Sequence, residues 1–203
     1  KFAEKQNNSF SSNYRSMIRI IGGTLRGRNL EVPSGNKVRP SADRVREALF
    51  NMLDHLLNWE NFKVLDLYAG SGALGIESLS RGAQDACFVE SSKHHAKILK
   101  KNLQSLNISN ELYNIFINRA EKWILSYLDS RDPSLVFLDP PYQENHYIPM
   151  LKQISESDGI INGSIIVVES PKMMEFQFPQ NLRVIIRKNY GGTAIQLLEK
   201  HRF

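Results

Sequence analysis

The chain has 203 residues, 41% hydrophobic and 23% charged, with a net charge of +5. No apolar run approaches the ~20 residues that cross a bilayer, so the composition describes a soluble globular chain of one α/β domain plus a modest appendage, with no membrane partner. The single cysteine, Cys87, gives neither a disulfide nor a zinc cluster, and the five histidines lack ligand spacing. No metal centre is expected, and a reducing, cytoplasmic setting is.

Residues 1–16 are polar and rich in Asn and Ser, and are expected to be a disordered tail. No signal peptide is visible. Met17 to Pro33 reads as a hairpin, with apolar Ile18, Ile20 and Ile21 before Gly22-Gly23 and Leu30 and Val32 after. A loop follows to Pro40, then a helix from about Asp43, a plausible N-cap. Its apolar stripe is Val45, Ala48, Leu49, Met52, Leu53, Leu56 and Leu57, and Arg44 and Arg46 stand off it. Residues 17–60 thus form an extension, ahead of a domain over 61–203. Between Arg15 and Arg46 lie eight basic residues, seven of them arginine, against Glu31 and Asp43. That is +6, leaving −1 for the rest. A neutral body with a basic arm suits a polyanionic partner, although a charge run can equally be a solvated face.

From Lys63 the pattern alternates. Strands are expected near 63–68, 85–90, 112–117, 134–139, 164–169, 182–188 and 193–199. Helices are expected near 72–81, 92–106, 120–129 and 145–157. Such alternation implies a parallel sheet covered on both faces. The last two strands are joined by a short turn, which requires them to be antiparallel. Cys87 sits in an apolar run as a small buried filler, and the adjacent His94 and His95 read as surface residues.

Two stretches carry chemistry. Val64 to Gly75 is a strand, a glycine turn and a helix start, with Asp66 inside the strand. Gly70, Gly72 and Gly75 match a dinucleotide fingerprint, and Glu90 ends the next strand, where a carboxylate can take both hydroxyls of a ribose. Alone this means an adenosine cofactor, NAD or another. The second stretch is Asp139-Pro140-Pro141-Tyr142 after the apolar Val136–Leu138. Prolines stiffen the turn and have no N–H. A carboxylate, a bare carbonyl and an aromatic face therefore gather at a strand end. That set suits a planar group with an amine, the ring stacking on Tyr142 and the N–H donors meeting Asp139 and the Pro140 carbonyl. A strand-ending turn with a half-buried tyrosine is the plainer alternative.

Asp66 before the glycines, joined to Asp-Pro-Pro-Tyr, resembles the pairing in S-adenosyl-L-methionine-dependent amino-methyltransferases. Ile20–Gly23, Val38–Ser41, Asp43–Asn51, Asp66–Glu77 and Leu138–Tyr142 occur in order. Over residues 18–199 they resemble the RsmD-type family, bacterial methyltransferases of a guanine N2 amine in 16S ribosomal RNA. The resemblance implies an α/β fold: a seven-stranded Rossmann-like class I methyltransferase sheet, the last strand antiparallel, with a small N-terminal hairpin and helix. It implies Asp66, Ala69, Gly70, Gly72 and Glu90 at the cofactor, and Asp139, Pro140 and Tyr142 at the target base. After the third strand such enzymes carry an acid for the adenine amine. Asn118, Arg119 and Ala120 occupy that place here. Arg19, Arg26, Arg28, Arg39 and Arg44 are the candidates for RNA phosphates. The expected partner is 16S ribosomal RNA or the small ribosomal subunit particle, bound by a monomer. Other readings are a DNA adenine-N6 or protein glutamine methyltransferase, an NAD-dependent oxidoreductase, and a non-catalytic RNA-binding module.

Overall fold

The computed structural model describes residues 17–33, 40–127, 134–140 and 146–201. The expected tail over 1–16 lies outside them. The chain opens with two short antiparallel strands, β1 (Met17–Arg19) and β2 (Asn29–Glu31), then α1 (Pro40–Leu56). α1 begins three residues before the expected start, so Asp43 lies in its first turn rather than capping it. An acid there still favours the helix, because it faces the positive end of the helix dipole.

Strands β3 (Lys63–Asp66), β4 (Ala86–Glu90), β5 (Tyr113–Ile117), β6 (Ser134–Leu138), β7 (Ile165–Pro171), β8 (Leu182–Tyr190) and β9 (Thr193–Lys200) form one sheet. Helices α2 (Ala73–Ser80), α3 (Lys93–Ser105), α4 (Ala120–Trp123) and α5 (Tyr147–Glu156) join them. The sheet order is β5-β4-β3-β6-β7-β9-β8. β9 runs antiparallel to both neighbours, as the short turn before it requires. The order reverses between β3 and β6, and a crevice forms at such a reversal, outside the carboxyl ends of the strands.

Of the expected helix over 120–129, residues 128 and 129 lie outside the described residues, and within the rest the α-helix ends at Trp123. After Trp123 the backbone tightens into a 3-10 turn over Ile124–Ser126, closed by Tyr127 N–H to the Ile124 carbonyl at 3.2 Å. Trp123 stacks on Tyr127 at 4.9 Å and tilts against Phe116 at 5.3 Å, so ring packing sets the local path.

Strand alternation sends Val64, Phe88, Phe137 and Val167 to one face, where α1, α2, α3 and the hairpin cover them. Leu65, Val89, Val136, Leu138 and Val168 go to the other, against α4 and α5. Cys87 packs at this second face but is only half-buried. Among the described residues no helix is long and apolar enough to cross a membrane.

The hairpin is bolted to α2 through a buried acid. Glu77 accepts from the N–H groups of Ile21 and Gly22, each at 2.7 Å. It also pairs with Arg81, which lies over the Phe50 ring and bonds Asp54. Gly23 has φ +71°, and a Cβ there would run into the Ser80 carbonyl, so only glycine allows this approach. Arg46 is buried rather than exposed on α1: it donates to the Arg19 carbonyl at 2.7 Å and pairs with Asp43 at 3.2 Å. Only part of the basic arm is therefore open to a partner.

Candidate active site at the sheet reversal

At the end of β3 the chain turns through Ala69, Gly70, Ser71 and Gly72 into α2. The turn is closed by Gly72 N–H to the Ala69 carbonyl at 2.6 Å. Gly70 and Gly72 have φ of +54° and +82°, and a Cβ on Gly72 would strike Leu99. The backbone can then pass close to a ligand, as the glycine spacing predicts. Asp66, at 3% exposure, accepts from Gly75 N–H at 3.2 Å and ties strand to helix.

Glu90 ends β4 beside this turn. Its carboxylate accepts from Gly70 N–H at 2.9 Å and from Ser92 N–H at 2.7 Å. It is thus fixed by the glycine turn itself. His95, expected on the surface, is half-buried with Nδ1 at 3.9 Å from Glu90. His94 is exposed as expected.

A cleft of about 330 Å³ opens beside Glu90, lined by Tyr68, Asn118, Arg119, Ala120, Glu121 and His146 among others. Asn118 and Arg119 are exposed and Ala120 is buried. The Asn118 side-chain oxygen accepts from Arg119 N–H at 2.8 Å. The acid on this wall is Glu121, two residues after the place the family pattern gives it. It accepts from the Tyr68 hydroxyl at 3.1 Å and faces His146 at 3.2 Å and Arg119 at 3.4 Å. Burial pushes its carboxyl up, but its own N–H, Tyr68 and the charges of Arg119 and His146 outweigh this and hold it below the usual range. Sequence reading missed Glu121 by weighing only the residues directly after the strand.

β6 delivers Asp139 and Pro140 beside β3: Asp66 pairs in register with Phe137, two residues before Asp139. Burial pushes the Asp139 carboxyl well above its ordinary value, with help from the charges of Glu169 and Asp66. Glu169, also missed, lies in β7 one residue past Val168, as Asp139 lies one residue past Leu138, the last residue of β6. The signal was there: Val167-Val168-Glu169 repeats the apolar-run-then-acid of Phe137-Leu138-Asp139. Pro140 is buried, while Pro141 and Tyr142 lie outside the described residues, as does Arg39. Arg19, Arg26, Arg28 and Arg44 are all exposed. Arg28 also donates to the Ser105 carbonyl at 2.9 Å.

A hollow of about 380 Å³ at the opposite end of the sheet is lined by Asn162, Asn181, Lys200 and His201 among others. Lys200 there donates to the carbonyls of Ile154 and Ser157 at 3.3 and 2.7 Å, closing the end of α5. That is a structural cap, remote from the strand ends that carry the acids.

An antiparallel strand slotted between two parallel ones next to the sheet edge is foreign to the all-parallel dinucleotide fold that the glycine spacing alone would admit. With Asp139 and Pro140 brought to the glycine turn, it marks a Rossmann-like methyltransferase. The chain belongs to the family described as conserved hypothetical protein 95, the RsmD family, whose model matches residues 18–199. It is 34% identical over 187 residues to "Ribosomal RNA small subunit methyltransferase D" of Haemophilus influenzae, covering 92% of this chain and 96% of that one. Identity is 37% over 155 residues to the protein of the same name from Escherichia coli K12, covering 75% and 74%. Among solved structures, a candidate methyltransferase of Escherichia coli, yhhF, superposes with a TM-score of 0.80 at 30% identity, covering 92% of this chain and 99% of that one.

Proposed function

We propose that the protein transfers a methyl group from S-adenosyl-L-methionine to the exocyclic N2 amine of a guanine in small-subunit ribosomal RNA. The observation that carries this reading is the meeting of the Asp66 glycine turn with Asp139-Pro140 at the sheet reversal. The names of the relatives support ribosomal RNA as the substrate.

The residues present fit the cofactor. Burial disfavours charge on Asp66 and Asp139, and the charges of Glu90 and Glu169 beside them add to that cost. A ligand bearing a sulfonium and an ammonium relieves that cost. When bound, S-adenosyl-L-methionine supplies an electrophilic methyl group. Asp66, Ala69, Gly70 and Gly72 would hold it at the turn and Glu90 at its ribose. Asn118, Ala120 and Glu121 would wall the adenine side.

The protein's own part is orientation and proton handling. A guanine amine is a poor nucleophile because its lone pair is delocalised into the ring. Asp139 accepts one N–H and the Pro140 carbonyl the other, which favours a pyramidal nitrogen with its lone pair directed at the methyl group. Asp139, with its raised pKa, is suited to take the proton the alkylated nitrogen sheds. Tyr142 offers a stacking face, and the exposed arginines hold phosphates around an extruded base.

The test is methylation of small subunits from a strain lacking the gene, with radiolabelled S-adenosyl-L-methionine and nucleoside analysis of the RNA. Label in N2-methylguanosine at one position is expected. Label in adenosine, or none in either naked RNA or subunits, overturns the reading.

A further inference from the structure

We propose that Glu169 is the residue that selects guanine, its carboxylate accepting the N1–H of the target base beside the amine held by Asp139. This rests on the guanine-N2 reading above and deepens it.

β6 and β7 pair in parallel with Leu138 opposite Val168. One residue further along each chain stand Asp139, just past the end of β6, and Glu169. Neighbouring strands lie about 4.8 Å apart, and residues in register point to the same face. That face is the one where Phe137 and Val167 meet α1, so both acids project to the side of the basic arm. Their closeness shows in the pull of the Glu169 charge on Asp139. The end of β7 is held in place: the hydroxyl of Tyr147, only 1% exposed, donates to the Glu169 carbonyl at 3.0 Å.

Guanine presents two donors side by side, N1–H and the 2-amine. An ionised carboxylate only accepts. Two adjacent carboxylates therefore read two adjacent donors. Adenine sets an acceptor at N1 next to its amine, and that acceptor would face Glu169 with no proton between them. Rejection by an unpaired buried polar group is the strongest form of base discrimination available to such a pocket. A carboxylate has about four lone-pair sites, so Glu169 can keep other partners while it receives N1–H.

The test replaces the target guanine with 2-aminopurine, which keeps the 2-amine but turns N1 from donor to acceptor. Reconstituted subunits carrying either base are assayed with the parent and with Glu169→Gln. The parent should prefer guanine by about a hundredfold or more in kcat/KM. Gln can donate its amide N–H to N1 of 2-aminopurine, so Glu169→Gln should cut that preference at least tenfold, partly by gaining activity on 2-aminopurine. The emission of 2-aminopurine reports entry of the base independently of turnover, and it should rise with Glu169→Gln. Equal loss on both bases would overturn the proposal and leave Glu169 a packing residue. A parent that methylates both bases alike overturns it too, whether or not the variant folds. A parent that fails on guanine itself overturns the reading beneath it instead.

Discussion

Asp139 and Asp66 are both carboxyls held above their ordinary range, for different ends. Asp139→Ala should abolish methyl transfer while S-adenosyl-L-methionine affinity, measured by calorimetry, stays within a few-fold, because the proposed role of Asp139 is at the amine and not at the cofactor. Near-normal turnover in the variant would remove it from the chemistry. Asp66 is raised from 3.8 to about 7, first by burial and then by the Glu90 charge, against the bonds from Gly75 and Tyr68 N–H. The folded protein thus binds this proton more tightly than the unfolded chain does. Its contribution to stability is full below pH 3.8, falls as pH rises and is gone above about 7. A shift of about three units is worth roughly 4 kcal/mol. The melting temperature of the cofactor-free parent should therefore fall relative to that of Asp66→Asn between pH 4 and 7, then track it. Parallel curves across that range would show that Asp66 binds its proton no more tightly in the folded protein than in the unfolded chain. At this scale the sequence located Asp66, Glu90 and Asp139 from motif spacing. Glu121, Glu169 and the burial of Arg46 were not legible, because each depends on which neighbour a fold sets beside it.

Element boundaries were legible wherever one periodicity dominated. All seven sheet strands lie where apolar runs put them, and the stripe of α1 is buried as expected at Val45, Leu49, Leu53 and Leu57, whereas Leu56 is exposed and Phe50, outside the expected stripe, is fully buried. The failure over 120–129 came where aromatic stacking, not helical period, set the path. Contacts between elements were not legible at all, and Asn102 on α3 shows why. Its side-chain oxygen accepts from Glu31 N–H on β2, and its amide donates to the carbonyls of Glu31 and Ser71, all at 2.9 Å. One asparagine, 2% exposed, therefore fastens the arm's second strand and the glycine turn to the same helix. Asn102→Ala removes these three bonds, each worth about 0.5–1.5 kcal/mol. The variant should lose at least about 2 kcal/mol of stability in urea unfolding. It should also bind S-adenosyl-L-methionine several-fold more weakly, although Asn102 lies behind the turn. Unchanged cofactor affinity in the folded variant would show that the turn holds its shape without this bond.

Across the whole molecule, the register puts Asp139 and Glu169 on the α1 side of the sheet, whereas Leu67 and Val89, which line the cleft beside Glu90, belong to the opposite face. The sheet order follows from long-range pairing that no local pattern encodes, and only the family resemblance anticipated it. The charge asymmetry, by contrast, was plain in the sequence and holds in part. Arg19, Arg26, Arg28 and Arg44 are exposed, while Arg46 is spent on Arg19 and Asp43 inside the structure. If the exposed arginines hold phosphates, each contact releases counterions, and the logarithm of affinity falls with the logarithm of salt by about 0.7–0.9 per contact. Changing Arg26 and Arg28 together to Ala should therefore flatten the salt dependence of RNA binding by between about one and two units of slope. Arg28 is the more ambiguous member, since its bond to the Ser105 carbonyl also ties the hairpin to α3. A separate Arg26→Ala variant isolates the electrostatic part, and it should take about half the slope while leaving melting temperature and cofactor affinity as in the parent. A slope that stays put in both variants would make this stretch of the arm a solvated face, and would send the search for the phosphate contacts to Arg19 and Arg44.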